Sequence, residues 1–315
     1  MPDTKALPKP QNPKTPLLIY LILSITAMSA LACVFRMAAS AGVNPAGYNA
    51  WFRIWGGVIM VAVSAGAVDW SQAGSLFRAA GPLSMVAAVF FWAGGYSALK
   101  IVVYGPLGVS WAVLRCSMIV GTLASIFWWR EVTPETPLLF AARLGGVALI
   151  VLAVIFLTRQ HADRPERPLA TWDRPKWIFW LCVTFCSQGG WEVCLRATKD
   201  CLPDDKSRVF FLTLVFALAG LASLPLLRFP KVRSGRKEIL CGLLAAAVSA
   251  VGSGLRPWAI RDLGGVIVFP ATTISVMLLV QAASFVFWRE RIHRVLGPLA
   301  FGAAIGGIAL IVAKF

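Results

Sequence analysis

Ionisable side chains inside apolar stretches are costly, so the few that this chain carries there are the first places to look for chemistry. Arg53 and Arg115 are two of them. A guanidinium fork matches a carboxylate or phosphate with two parallel hydrogen bonds, so two forks at like depth read as a pocket for an anionic group. Helical spacing puts Asn49 on the face of Arg53, and Trp111 on the face of Arg115, Met118 and Thr122. The plainer alternative is that each arginine reaches the interface along its alkyl stem or bonds backbone carbonyls.

Glu192 is the one acid well inside an apolar stretch, in Gln188-Gly189-Gly190-Trp191-Glu192. It faces two candidate partners: Arg256, near the end of another stretch on the same side, and Arg196, one turn on at favourable i, i+4 spacing. Glu192 and Arg256 therefore read as a structural ion pair, a gate, or a proton-coupling group, since burial favours the neutral carboxyl. Thr272, Thr273 and Gln281 follow Pro270, whose missing N–H can free a carbonyl toward a cavity. Thr273, Met277 and Gln281 share a face and read either as neutral hydrogen-bonding partners for a substrate or as ordinary contacts between helices. Trp92 and Tyr96 share a face and could stack on a substrate or simply pack. Seven cysteines and two histidines are scattered without ligand spacing, so neither a metal site nor a cofactor is expected.

These residues need elements that cross a bilayer. Of 315 residues 58% are apolar and 14% charged, more apolar surface than a water-soluble fold can hide. The net charge of +16 lies mostly in links and at helix ends, where it anchors to lipid headgroups, and no nucleic-acid motif accompanies it. Apolar runs of about 20 residues occur near 16–36, 45–67, 79–102, 106–129, 136–158, 177–197, 208–227, 238–257, 264–288 and 295–313, each enough for a helix across roughly 30 Å of hydrocarbon. Residues 1–14 read as a disordered polar N-terminus and 159–176 as a charged, Pro-rich linker between two five-helix halves, 15–158 and 177–315.

The halves are copies. Ala124-Ser125-Ile126-Phe127-Trp128-Trp129-Arg130-Glu131, followed by Gly145-Gly146, returns about 160 residues later as Ala283-Ser284-Phe285-Val286-Phe287-Trp288-Arg289-Glu290, followed by Gly306-Gly307. At the same offset Arg36 meets Arg196 and Lys100 meets Arg261. Five is odd, so the second half must be inverted in the membrane, the architecture of alternating access. The fold expected is an all-α polytopic membrane protein of ten transmembrane helices in two inverted repeats. Where the copies differ, Arg115 aligns with Ile274, which points to the asymmetric positions for substrate.

Phe127-Trp128-Trp129-Arg130-Glu131-Val132-Thr133-Pro134 with Gly145-Gly146, Phe287-Trp288-Arg289-Glu290 with Gly306-Gly307, and Tyr96-Ser97-Ala98-Leu99-Lys100 resemble the drug/metabolite transporter superfamily, specifically EamA-like proteins, over residues 16–313. The resemblance implies cytoplasmic termini in a bacterial inner membrane, which breaks a near tie in the distribution of Lys and Arg. It also implies a central cavity among helices three, four, eight and nine.

The function expected is secondary active transport of small organic solutes. An antiporter for anionic or phosphorylated metabolites is the alternative that the arginines raise. An intramembrane enzyme and a channel are more remote: clustered His, Asp or Glu within the spans is lacking, and no phosphate-binding Gly-rich loop suggests a pump. The partners expected are the lipid bilayer and a small-molecule substrate, with a homodimer left open. Substituting Arg53 or Arg115 by Gln should abolish uptake in whole cells at unchanged expression; normal uptake in both variants would remove the arginines from the substrate path.

Overall fold

The computed structural model describes residues 17–68, 70–104, 114, 117–130, 137–162, 174–202, 204–229, 232, 234–288 and 295–312, and every regular element among them is helical. The helices are α1 (Leu17–Ser40), α2 (Pro45–Ala67), α3 (Ala73–Tyr104), α4 (Met118–Phe127), α5 (Pro137–Ala162), α6 (Arg174–Cys201), α7 (Asp205–Ser223), α8 (Arg236–Gly254), α9 (Arg256–Leu263), α10 (Gly265–Trp288) and α11 (Leu296–Val312). Short 3-10 turns precede α3 (Trp70–Gln72) and follow α7 (Leu224–Arg228).

Among the described residues, six segments are long and apolar enough to cross a membrane: Leu18–Ala38, Pro45–Ala67, Trp70–Ala98, Pro175–Cys201, Asp205–Arg228 and Arg236–Leu263. Shorter apolar stretches lie at Met118–Phe127, Phe140–Ala153, Gly265–Val280 and Leu296–Gly307. The outward faces agree with a lipid solvent. Leu18, Val89, Phe179, Leu221 and Val286 stand more than half exposed, whereas Ser24, Ser84, Ser97 and Thr184 are wholly buried. An apolar exterior over a polar-dotted interior is what lipid requires and what water would aggregate. The chain is a helical, multi-pass membrane protein.

Lipid tails are as apolar as leucine, so helices associate through close van der Waals packing and interhelical hydrogen bonds. The main packing pairs are α3 with α6 and α7, α2 with α7 and α8, α1 with α8 and α10, α4 with α6 and α10, and α5 with α11. The last pair shows why the doubled glycines occur: a Cβ on Gly307 would stand 2.8 Å from the Gly146 carbonyl oxygen, so only glycine allows the two backbones to meet. The aromatic-arginine signature ends α4. Arg130 adopts a left-handed φ of 47°, and the Trp129 ring lies 4.8 Å from the Arg196 guanidinium. The second copy of that signature beyond Trp288 falls outside the described residues.

Beyond shifts of a few residues at several ends, three regions differ from the sequence expectation. The run expected at 238–257 is broken: α8 stops at Gly254 and α9 starts at Arg256 with Pro257 in its first turn, where a missing N–H is tolerated. The linker expected at 159–176 is shortened at both ends, because α5 runs to Ala162 and α6 begins at Arg174. Most of the first part of the run expected at 106–129 lies outside the described residues, and α4 spans Met118–Phe127.

The helix starts that orient the site are capped by side chains. Asn44 caps α2, accepting from Gly47 N–H at 3.0 Å. Glu238 joins the α2 and α8 starts by accepting from Asn44 N–H and Gly235 N–H, both at 3.0 Å. Asp204 caps α7, accepting from the Ser207 N–H at 2.7 Å and its hydroxyl at 2.6 Å. Burial pushes the Asp204 carboxyl up, but the bonds from Ser207 and the charge of Arg208 outweigh it, and the group sits below the usual carboxylate range. A depressed carboxyl stabilises the fold above its unfolded value and loses that stabilisation as pH falls through the folded one. Asp204→Ala should therefore cost about 1 kcal/mol at neutral pH, and the gap to wild type should close below about pH 4, read by thermal unfolding in detergent.

Candidate functional site

A cavity of about 80 Å³ lies among α1, α2, α3, α4, α6, α8 and α9. Its apolar wall is built from Met28, Leu31 and Phe35 of α1, Phe52 of α2, Phe91 and Ala98 of α3 and Trp191 of α6. Its polar groups are Arg53, Ser117, Gln188, Glu192, Ser249, Ser253 and Arg256.

Arg53 is placed by the capped start of α2, which turns Tyr48, Asn49, Phe52 and Arg53 inward. It is 3% exposed. Its Nη2 donates to the Phe91 carbonyl oxygen at 2.9 Å, and its guanidinium carbon lies 3.8 Å from the Phe91 ring centroid and 4.6 Å from that of Phe52. Phe91 is itself held by Trp191 and Phe216, at centroid distances of 5.0 and 4.7 Å. No carboxylate pairs with Arg53 among the described residues, and its Nε and Nη1 have no hydrogen-bond partner there. Magnitudes explain how it is tolerated. A central arginine costs about 3 kcal/mol on insertion scales. One hydrogen bond from a charged donor returns about 1.5–3 kcal/mol, and each ring face about 0.5–2.

Glu192 and Arg256 resolve their charges differently. The Arg256 Nη1 donates to Glu192 Oε1 at 2.8 Å, and Nη2 lies 2.8 Å from Oε2, a two-pronged pair with both side chains almost fully buried. The break at Leu255 puts Arg256 at the first position of α9, so the pair ties α9 to α6. Met118 of α4 and Phe269 of α10 complete its surroundings, with Met118 Sδ 3.9 Å from Nη2 and the Phe269 ring 5.9 Å from the guanidinium. Arg196, the other partner open to Glu192 on spacing, instead pairs with Asp200 at 2.9 Å.

The other expected residues are scattered. Asn49 is buried one turn from Arg53, its Nδ2 without a partner among the described residues, but it is not on the cavity wall. Trp92 and Tyr96 stack on each other at 5.8 Å, and Tyr96 meets Trp180 of α6 edge-on at 5.6 Å; neither lines the cavity. Thr272 and Thr273 are buried on α10 outside it, and Thr273 donates to the Phe269 carbonyl and touches Met118 Sδ, both at 2.8 Å. Trp111, Arg115 and the side chain of Gln281 lie outside the described residues. α10, expected on the wall, contributes none of its lining residues, while α1, α2 and α6 contribute instead. Gln188, Trp191, Ser249 and Ser253 were missed, although Gln188 with Glu192, and Ser249 with Ser253, stand at i, i+4 spacing and mark two inward faces. Among the described residues no three His, Cys, Asp or Glu are placed to hold a metal ion.

No protein-family model matches the sequence, and no curated protein matches it. Twenty-five solved chains match the structure. One of them, described as "Crystal structure of protein", superposes with a TM-score of 0.66 at 17% identity, covering 95% of this chain and 97% of that one. At that identity the likeness establishes a shared fold over nearly the whole length.

Removing one partner of a buried pair strands the other charge. Glu192→Gln or Arg256→Met should each destabilise the protein by about 3–5 kcal/mol, and the double variant should recover most of that loss, read by thermal unfolding in detergent. Equal losses in single and double variants would mean that the pair does not act as a unit.

Proposed function

We propose that this chain is a secondary active transporter of small organic solutes, an EamA-like member of the drug/metabolite transporter superfamily, in which two inverted five-helix halves alternate access to the central cavity. The halves are α1–α5 and α6–α11, with α8 and α9 together standing for one helix. Exchanging α1 with α6, α2 with α7, α3 with α8, α4 with α10 and α5 with α11 supports this reading. Under that exchange α3–α6 becomes α8–α1, α2–α8 becomes α7–α3, and α1–α10 becomes α6–α4. The α2–α7, α4–α10 and α5–α11 contacts map onto themselves. That pattern fits two copies related by a pseudo-two-fold axis in the membrane plane. The termini face the cytoplasm of a bacterial inner membrane in this reading.

The observation that carries the proposal is the shared ownership of the cavity. Arg53 and Phe91 come from the first half, and Gln188, Glu192, Ser249 and Arg256 from the second. Rocking one half against the other would open the cavity to one side while parting groups on the other. The Glu192–Arg256 pair lies within the second half, so it would travel with that half as a unit. Glu192 is also the carboxylate through which a proton could couple to transport.

Purified protein reconstituted in liposomes should show saturable uptake and exchange of labelled for unlabelled solute. Glu192→Gln should uncouple uptake from an imposed proton gradient. Unitary ion currents would identify a channel instead, and uptake by the variant that still follows the gradient would remove Glu192 from coupling.

A further inference from the structure

The lining of the cavity distinguishes among the anions that a buried arginine could accept. Arg256 and Glu192 form an ion pair at 2.8 Å, so their charges offset each other, and Arg53 remains as one net positive charge among the described lining residues. A single negative charge on the ligand balances it. A phosphate dianion would leave one negative charge uncompensated by the described lining, which is unfavourable in a low-dielectric cavity. A zwitterion fares no better: its ammonium needs an acid, and the carboxylate on the described wall is held in two prongs by Arg256. The rest of the wall is aromatic and aliphatic, with a few hydroxyl and amide groups.

The Arg53 fork is prepared for such a partner. One edge is held by the Phe91 carbonyl, and the Phe91 and Phe52 rings lie 3.8 and 4.6 Å from the guanidinium carbon, which limits its movement. Nε and Nη1 have no partner among the described residues. Gly95 makes the fork's position possible, since a Cβ at that position would overlap the Arg53 guanidinium.

We propose that the cargo is a small monocarboxylic acid with an apolar body and no ammonium group, its carboxylate seated on Arg53. This rests on the transporter reading above and names its substrate class. The apolar body lies against Phe52, Phe91 and Trp191, and a keto or hydroxyl oxygen on the acid is within the chemistry of Gln188 and Ser253.

The test uses the purified full chain in detergent, with 4-methyl-2-oxopentanoate, leucine and glycerol 3-phosphate as probes, read by thermal unfolding across a concentration series. The keto acid should raise the midpoint, and the amino acid and phosphate should not do so at equal concentration. Arg53→Gln removes the charge, and Gly95→Ala keeps the charge but displaces the fork. Each should weaken apparent affinity for the keto acid by about tenfold or more, with monodisperse elution as the check on folding. Stabilisation by leucine or the phosphate equal to that by the keto acid overturns the proposal, as does unchanged affinity in either folded variant. Uptake assays on the same protein in liposomes separate the two readings. The expected binding without uptake leaves the carboxylate site standing and overturns transport. Uptake of a neutral or zwitterionic solute without carboxylate binding upholds transport and overturns the carboxylate site.

Discussion

A guanidinium or carboxylate removed from water must find replacement partners within hydrogen-bonding reach, and the interior of this protein is arranged around that requirement. Glu192 and Arg256 meet it mutually, through two close contacts. Arg53 meets it with a backbone carbonyl and two aromatic faces, and that solution dictates much of its surroundings. Phe91 must lie flat beneath the fork, so Trp191 and Phe216 must hold Phe91. Gly95 must lack a side chain, and the α2 start must be capped so that Arg53 points inward.

The same accounting governs the helix ends. Glu238 satisfies N–H groups at the starts of both α2 and α8, and so couples two helices that also pack along their length. Around the start of α7, Asp205 accepts from Arg208 of its own helix and from Arg261 of α9. α9 is therefore held from two directions: at its first residue by Glu192 inside the bundle, and at Arg261 by Asp205 near the surface. The exposed Asp205–Arg261 pair is worth less than the buried one, since solvent screens it. Between these fastened ends the helices meet through small residues, as Gly146 and Gly307 show, because bilayer tails supply no hydrophobic drive to force larger ones together.

Much of this was legible along the chain. The run expected at 45–67 is α2 to the residue, because Asn44-Pro45 is a start signal and the apolar run is local. Apart from the runs expected at 106–129 and 238–257, the other helices agree within several residues at each end, where fraying and adjoining polar turns blur the limits. The break at Leu255 was not anticipated, since Pro257 serves equally as a helix interruption or as a first-turn residue. Within the site, Arg53, Glu192 and Arg256 were legible because a charge in an apolar run is conspicuous in one dimension. Phe91 and Trp191 were not, because an inward aromatic has the same composition as one that faces lipid, whereas Met118 was marked by its helical spacing from Arg115 and Thr122.

The sequence by itself determined the helical, lipid-facing character of the chain, the limits of most apolar runs to within several residues, and the charged residues that must be reconciled with lipid. All of these depend on composition and on periodicity over a few turns. Only the tertiary structure decided who satisfies whom. Arg196 and Arg256 were both open to Glu192, and packing of α9 against α6 gave it Arg256 while Asp200 took Arg196. Trp92 and Tyr96 could have faced a ligand, but the approach of α6 turned them toward each other and Trp180. Such choices depend on distances between segments far apart in the chain, and a buried group bonds to whichever partner the packed helices bring within about 3 Å.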